Sequence, residues 1–194
     1  VATGISSDYE QAELLLAVLE QGVPTGAMLQ AWSTLLESIG SDYDQRRVLQ
    51  ALLATGDVDA SLLALAAAKD VSSDYEARQL LAPAAATTRR DPRMLAAYAN
   101  VLATIGSDYE QRMALEQLVA AGPVDVAVAD AVLASLPAMG SDHETAEALV
   151  ALAAAMPADQ GLVERYRAAA RRLGDFERGR AERALDRFAI AATD

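Results

Sequence analysis

One phrase recurs along this chain at almost constant spacing. It reads Ser7-Asp8-Tyr9-Glu10, Ser41-Asp42-Tyr43-Asp44, Ser73-Asp74-Tyr75-Glu76, Ser107-Asp108-Tyr109-Glu110 and Ser141-Asp142-His143-Glu144, with a weaker copy at Gly174-Asp175-Phe176-Glu177. Successive aspartates lie 34, 32, 34, 34 and 33 residues apart. Such a period marks small supersecondary units that bury their apolar sides only by stacking on their neighbours in sequence. The chain is therefore read as an array of units at approximately 7–40, 41–72, 73–106, 107–140 and 141–173, closed by a terminal helix over 174–194, all within one repeat domain spanning 1–194.

Each phrase has the form of a capping box. The serine hydroxyl accepts from the backbone N–H three residues on, and the acid at that position reaches back to the serine N–H. A helix A follows, its apolar pairs at Leu14/Leu15 and Val18/Leu19, Val48/Leu49 and Leu52/Leu53, then Leu115, Leu118 and Val119. Gly22, Gly56 and Gly122 end three of these helices, and Pro24, Pro92, Pro123 and Pro157 mark the turn into a helix B. Asp91-Pro92 reads as a helix cap followed by the first helical residue. Helix B carries its own stripe: Met28, Leu29, Trp32, Leu35, Leu36 and Ile39 correspond to Met94, Leu95, Tyr98, Val101, Leu102 and Ile105. Gly40, Gly106 and Gly140, just before the serine, are expected to take the left-handed conformation that stops a helix. Pro83 falls inside the third helix A, which should kink or end early and leave Thr87-Thr88-Arg89-Arg90 as a longer loop.

Composition agrees with helices. Aromatic residues make up 5% of a chain dominated by alanine and leucine, which favours helix over sheet. The expected fold is all-α, an α-solenoid of about five and a half stacked helical hairpins with a period of about 34 residues. No apolar run reaches the roughly 18 residues of a membrane span, so direct membrane insertion of this segment is not expected. The chain opens at Val1 without an initiator methionine or a leader, which suggests a piece of a longer protein with adjacent domains. There is no cysteine, so disulfides, thiolate zinc sites and cysteine nucleophiles are excluded.

The formal net charge of −12 argues against nucleic acid and favours a basic protein or peptide as partner. Residues 164–187 run the other way, with eight arginines (165, 167, 171, 172, 178, 180, 183 and 187) against five acids, a local surplus of +3. That segment reads either as a basic docking patch for an acidic neighbour or as a solvated terminal helix. The second reading is preferred, on pairs such as Asp175 with Arg178 and Arg178 with Glu182.

Capping accounts for the serine and the acid but not for the aromatic ring. The tyrosine lies opposite the leucine stripe and shares its face with Arg46, Arg78 and Arg112. The simpler expectation is that each ring covers a neighbouring repeat's turn. The functional one is a surface row of Tyr9, Tyr43, Tyr75, Tyr109 and His143 with Arg46, Arg78 and Arg112 and with Asp42, Asp74 and Asp108, lining a binding face. The phrase, as in Ile105-Gly106-Ser107-Asp108-Tyr109-Glu110-Gln111-Arg112, resembles repeats of bacterial extracytoplasmic proteins, some attached to membrane-embedded sensor peptidases of the BlaR type. That resemblance implies a periplasmic or extracytoplasmic sensing or scaffolding segment, with a cytoplasmic location left open. The period equals that of the tetratricopeptide repeat, whose Trp, Gly-Tyr and Pro pattern is absent.

No convergent catalytic set is visible. His143 is the single histidine and occupies a tyrosine slot. His-Glu-x-x-His, Gly-x-Gly-x-x-Gly and P-loop sequences are missing, so no metal or cofactor is expected. Asp57/Asp59 and Asp125/Asp130 are read as caps or solvated faces of B helices. The leading expectation is a non-catalytic module that binds a protein or peptide. The alternatives are a carboxylate-based enzyme acting on a cell-wall saccharide and a purely structural spacer.

Overall fold

The structure, a computed structural model, describes residue 5, residues 7–88 and residues 91–191, the side chains of 187–191 excepted. Among the described residues there are eleven α-helices and no strand, in agreement with the all-α expectation. They are α1 Asp8–Gln21, α2 Ala27–Glu37, α3 Asp42–Ala54, α4 Val58–Ala67, α5 Asp74–Ala84, α6 Pro92–Leu102, α7 Asp108–Ala120, α8 Val126–Ser135, α9 Asp142–Ala153, α10 Gln160–Ala170 and α11 Asp175–Ala191. Odd-numbered helices are the A helices and even-numbered ones the B helices. No helix among the described residues is long and apolar enough to cross a membrane.

Local chemistry sets the helix ends. Ser7, Ser41, Ser73, Ser107 and Ser141 each cap an A helix, the hydroxyl accepting from the N–H three residues on at 3.3–3.4 Å. Asp57, Asp125 and Asp159 do the same for three B helices and Asp91 accepts from the N–H two residues on for a fourth, all at 2.8–2.9 Å, with Pro92 opening α6 as expected. Gly56 follows α3 at φ +71°, a left-handed position where a side chain would be strained.

Gly40, Gly106 and Gly140 correct the expectation placed on them, since none has positive φ. What this position supplies is a backbone donor. Gly40 N–H donates to Asp8 and Gly140 N–H to Asp108 of the preceding repeat. Ser72 stands in the same place in the third repeat and donates to Asp42 instead, so glycine itself is not required.

The contacts group the chain into two compact units, Val1–Thr104 and Ile105–Asp194. In the first, α1, α3 and α5 pack side by side in one layer and α2, α4 and α6 in a second. In the second, α7, α9 and α11 form one layer and α8 and α10 the other. Each unit is thus a stack of helical hairpins, with the A and B stripes facing each other across the layers. Leu49, Leu52, Leu65, Leu80 and Leu81 are fully enclosed in the first unit, and Leu115, Leu118, Leu149 and Leu152 in the second. Trp32 and Tyr98, aligned in the sequence, are both buried. The first hairpin departs from the stripe: Val18 and Met28 are exposed, because α1 and α2 have a neighbouring hairpin on one side only among the described residues.

Pro83 shortens its helix as expected. α5 has 11 residues where α3 and α7 have 13, and the chain turns at Thr87 and Thr88, whose hydroxyls donate to Ala84 O and Ala85 O. Arg89 and Arg90 lie outside the described residues. The proline has a second consequence. Lacking an N–H, it leaves the Gln79 carbonyl without its helical donor, and Gln50 of α3 donates to that carbonyl instead at 2.9 Å.

Candidate functional site

The repeated phrase divides its work among four side chains: the serine caps its own helix. The aspartate reaches forward to the next repeat. Asp42 accepts from Ser72 N–H at 3.1 Å, Ser72 hydroxyl at 2.7 Å and Ser73 N–H at 2.8 Å. Asp108 accepts from Gly140 N–H and, at 2.7 Å, from Ser141 N–H, and Asp142 accepts from Gly174 N–H at 2.9 Å. These are the free donors at a helix start, and a carboxylate is their strongest acceptor.

This geometry overturns half of the expected capping box. At Ser73 and Ser141 the N–H is bound by the preceding repeat's aspartate, so the acid three residues on does not return to it. That acid instead receives an arginine from the preceding repeat: Arg46 pairs with Glu76 and Arg112 with Glu144. Both ion pairs are largely enclosed, with each side chain 15–18% exposed. Further pairs run in the same layer, Arg47 with Glu13 at 2.5 Å and Arg180 with Glu147 at 2.6 Å.

The networks shift the charges they hold. The hydrogen bond from Arg180 holds Glu147 below the usual carboxylate range, and Glu147 and Glu177 in turn raise Arg180. Burial tends to lower Arg112, but Glu144 and Glu116 outweigh it and the net shift is upward.

The tyrosine rings are not enclosed between repeats. Tyr9, Tyr43, Tyr75 and Tyr109 are 50–58% exposed. Each has a guanidinium over its face: Arg46 over Tyr43 at 5.1 Å, Arg78 over Tyr75 at 5.3 Å, Arg112 over Tyr109 at 5.2 Å, and Arg47 of the following repeat over Tyr9 at 5.7 Å. Gln79 donates to the Tyr75 hydroxyl at 2.8 Å. Phe176 and His143 occupy the same slot and are exposed too. His143 stands 3.9 Å from Glu147 and 3.7 Å from Glu177.

The residues singled out in the sequence therefore fall into two groups. The tyrosines and His143 form an exposed row on the A helices: Tyr9, Tyr43 and Tyr75 within the first unit, and Tyr109 and His143 within the second. Asp42, Asp108, Arg46 and Arg112 are drawn into repeat-to-repeat bonds. Asp74 and Arg78 are likewise engaged, Arg78 against Tyr75.

Sequence reasoning missed the glutamine four residues after the serine. Gln45 is buried and donates to Leu36 O, closing the end of α2, while Gln11 donates to Ile5 O and accepts from Ser38. Its recurrence at Gln11, Gln45 and Gln111 was the available signal.

Of the paired acids, Asp57 and Asp125 are helix caps, and Asp130 lies 2.6 Å from Arg165 as an ion pair whose angles fall short of a hydrogen bond. Among the described residues no three His, Asp or Glu side chains converge in a metal-binding group. No protein-family model, curated protein or solved structure matches this chain.

Proposed function

We propose that this chain is a non-catalytic helical-repeat module that binds a protein or peptide along the A-helix face carrying the tyrosines. The observation that carries this reading is the state of the rings. Four tyrosines stand at the same place in successive repeats, half-exposed, each held by an arginine. The stacking itself is maintained by Asp, Arg and Glu, so the fold does not need the ring. Aromatic and arginine side chains are the groups on which interface energy concentrates, and a ring already fixed by its guanidinium loses little freedom on binding.

Asp8, Asp42, Asp108 and Asp142 beside the row, and Glu76 and Glu144, are committed to backbone donors and arginines, which supports a scaffold over carboxylate catalysis. With a net charge of −12, the partner that fits best is basic. The resemblance of the phrase to extracytoplasmic repeats supports reading the module as a sensing or scaffolding segment of a bacterial envelope assembly.

The test is photo-crosslinking from positions flanking Tyr43 and Tyr75 in the full chain, in its native cell envelope. Adducts with a protein partner that vanish in Tyr43→Ala/Tyr75→Ala, with helix content unchanged, are the expected result. Adducts that persist undiminished in that variant, or no protein adduct at all, would refute the reading.

A further inference from the structure

The arginines near the end of the chain divide into two sets. Arg165, Arg178 and Arg180 are paired with Asp130, Asp175 and Glu147. Arg167, Arg171 and Arg172, in the last turn of α10 and just beyond it, are exposed and make no ion pair or side-chain hydrogen bond with any described residue. A helix C-terminus favours a cation, yet α3, α4, α6, α7, α8 and α9 have no basic residue in the last turn. Capping therefore does not account for three neighbouring guanidiniums in an acidic chain.

Arg172 forms one rim of an open groove between α8 and α10, whose floor and walls are Leu133, Ala134, Pro137, Ala168 and Ala169 and which holds about 390 Å³. The Arg165–Asp130 pair forms the opposite edge. The small side chains of Ala134, Ala168 and Ala169 leave the room. That volume falls within the range of sites that enclose a ligand.

We propose that this groove binds an acidic peptide segment, with an apolar side chain seated on Leu133 and Ala169 and a carboxylate on Arg172. Charge complementarity selects the occupant: the unpaired Arg172 stands at the rim of an apolar trough, in a chain of net charge −12. A carboxylate paired with a guanidinium forms a strong, directional bond, and the apolar floor gives an anchor that a fully hydrated anion lacks. Asp130 competes with the ligand for Arg165, so the groove is set for modest affinity. This site is separate from the tyrosine face and stands or falls independently of it.

Fluorescence anisotropy on the full chain tests it with a labelled peptide of sequence DELLDELL. Controls carry serine in place of the leucines or lysine in place of the acids. The acidic, leucine-bearing peptide should bind, and added salt should weaken it. Serine replacement and Arg172→Gln should each weaken binding about tenfold, the loss of one charge-assisted contact or one seated apolar side chain. Ala168→Trp, which fills the groove and keeps every charge, should weaken it likewise, whereas Asp130→Asn should tighten it. Arg172 is exposed, so its variant reads binding even if Ala168→Trp misfolds. Equal binding of the serine or lysine peptide overturns the proposal, as does unchanged affinity in Arg172→Gln. So does binding to anionic vesicles without binding to the peptide.

Discussion

At the scale of single residues, the aspartate of the phrase does what its position as a first-turn acid only half suggests. Removing Asp108 leaves the Gly140 and Ser141 N–H groups without their acceptor, and Asp108→Ala should lower stability by about 1–2 kcal/mol, a charge-assisted bond discounted for exposure. Urea unfolding would measure it. The serine caps and the aspartate caps of the B helices were legible because such bonds close within three residues. The forward reach of Asp42 and Asp108 was not, since a carboxylate's partner 31–33 residues away depends on how neighbouring units stack. Two buried phenols show the same dependence on context. Tyr98 and Tyr166 are fully enclosed, and burial pushes both well above the usual phenol range. A folded-state pKa above the unfolded one gives stability that is whole below about pH 10 and is lost as pH rises further. Phenolate absorbance from these two should therefore appear together with loss of helix. Tyr166 also donates to Ala181 O at 2.9 Å, and Tyr166→Phe should cost about 1 kcal/mol. On the acid side the sign reverses. Glu147 is held low by Arg180, so its contribution is present above the ordinary glutamate range and fades as pH falls through the folded value. Arg180→Met should remove that fraction of the acid sensitivity, and added salt should shrink it.

At the scale of elements, Pro83 is the informative departure from the repeat. Its effect on the length of α5 was legible from the missing donor alone. That Gln50 of α3 would take over the released Gln79 carbonyl was not, because the rule describes one helix and the new bond joins two. The two residues should be coupled. Gln50→Ala should cost about 1 kcal/mol in the native background and markedly less in Pro83→Ala, where the helix supplies its own donor. Equal costs in both backgrounds would mean that the bond carries no weight. The tyrosine slot illustrates the opposite difficulty. A helical wheel placed the ring away from the leucine stripe and beside an arginine, and both hold. The wheel could not say how far a neighbouring helix would cover that face, and in the structure the rings stay half-exposed. The terminal arginines are similar: Arg178 pairs with Asp175 as the spacing indicated, whereas Glu182 makes no such pair. Arg165 and Arg180 find their acids on other helices, and the side chain of Arg187 lies outside the described residues.

At the scale of the whole molecule, the period of the sequence corresponds to a unit of stacking, and the two-layer arrangement recurs within each unit. Stability in such arrays is close to a sum of repeat and interface contributions. A chain lacking residues 41–72, which joins Gly40 directly to Ser73, should remain helical and unfold at a lower temperature, because every remaining phrase still meets a serine-led turn. Collapse to an unfolded chain would mean that the units are not interchangeable. The central claim is that each phrase binds its own repeat to the next through the aspartate. Amide hydrogen exchange of the full chain, compared between the native protein and Asp108→Ala, tests it most directly. Exchange at Gly140 and Ser141 should accelerate about tenfold or more, the equivalent of one such bond, while Glu144, held by the Ser141 hydroxyl, changes far less. Unaltered protection at Ser141 would contradict the claim.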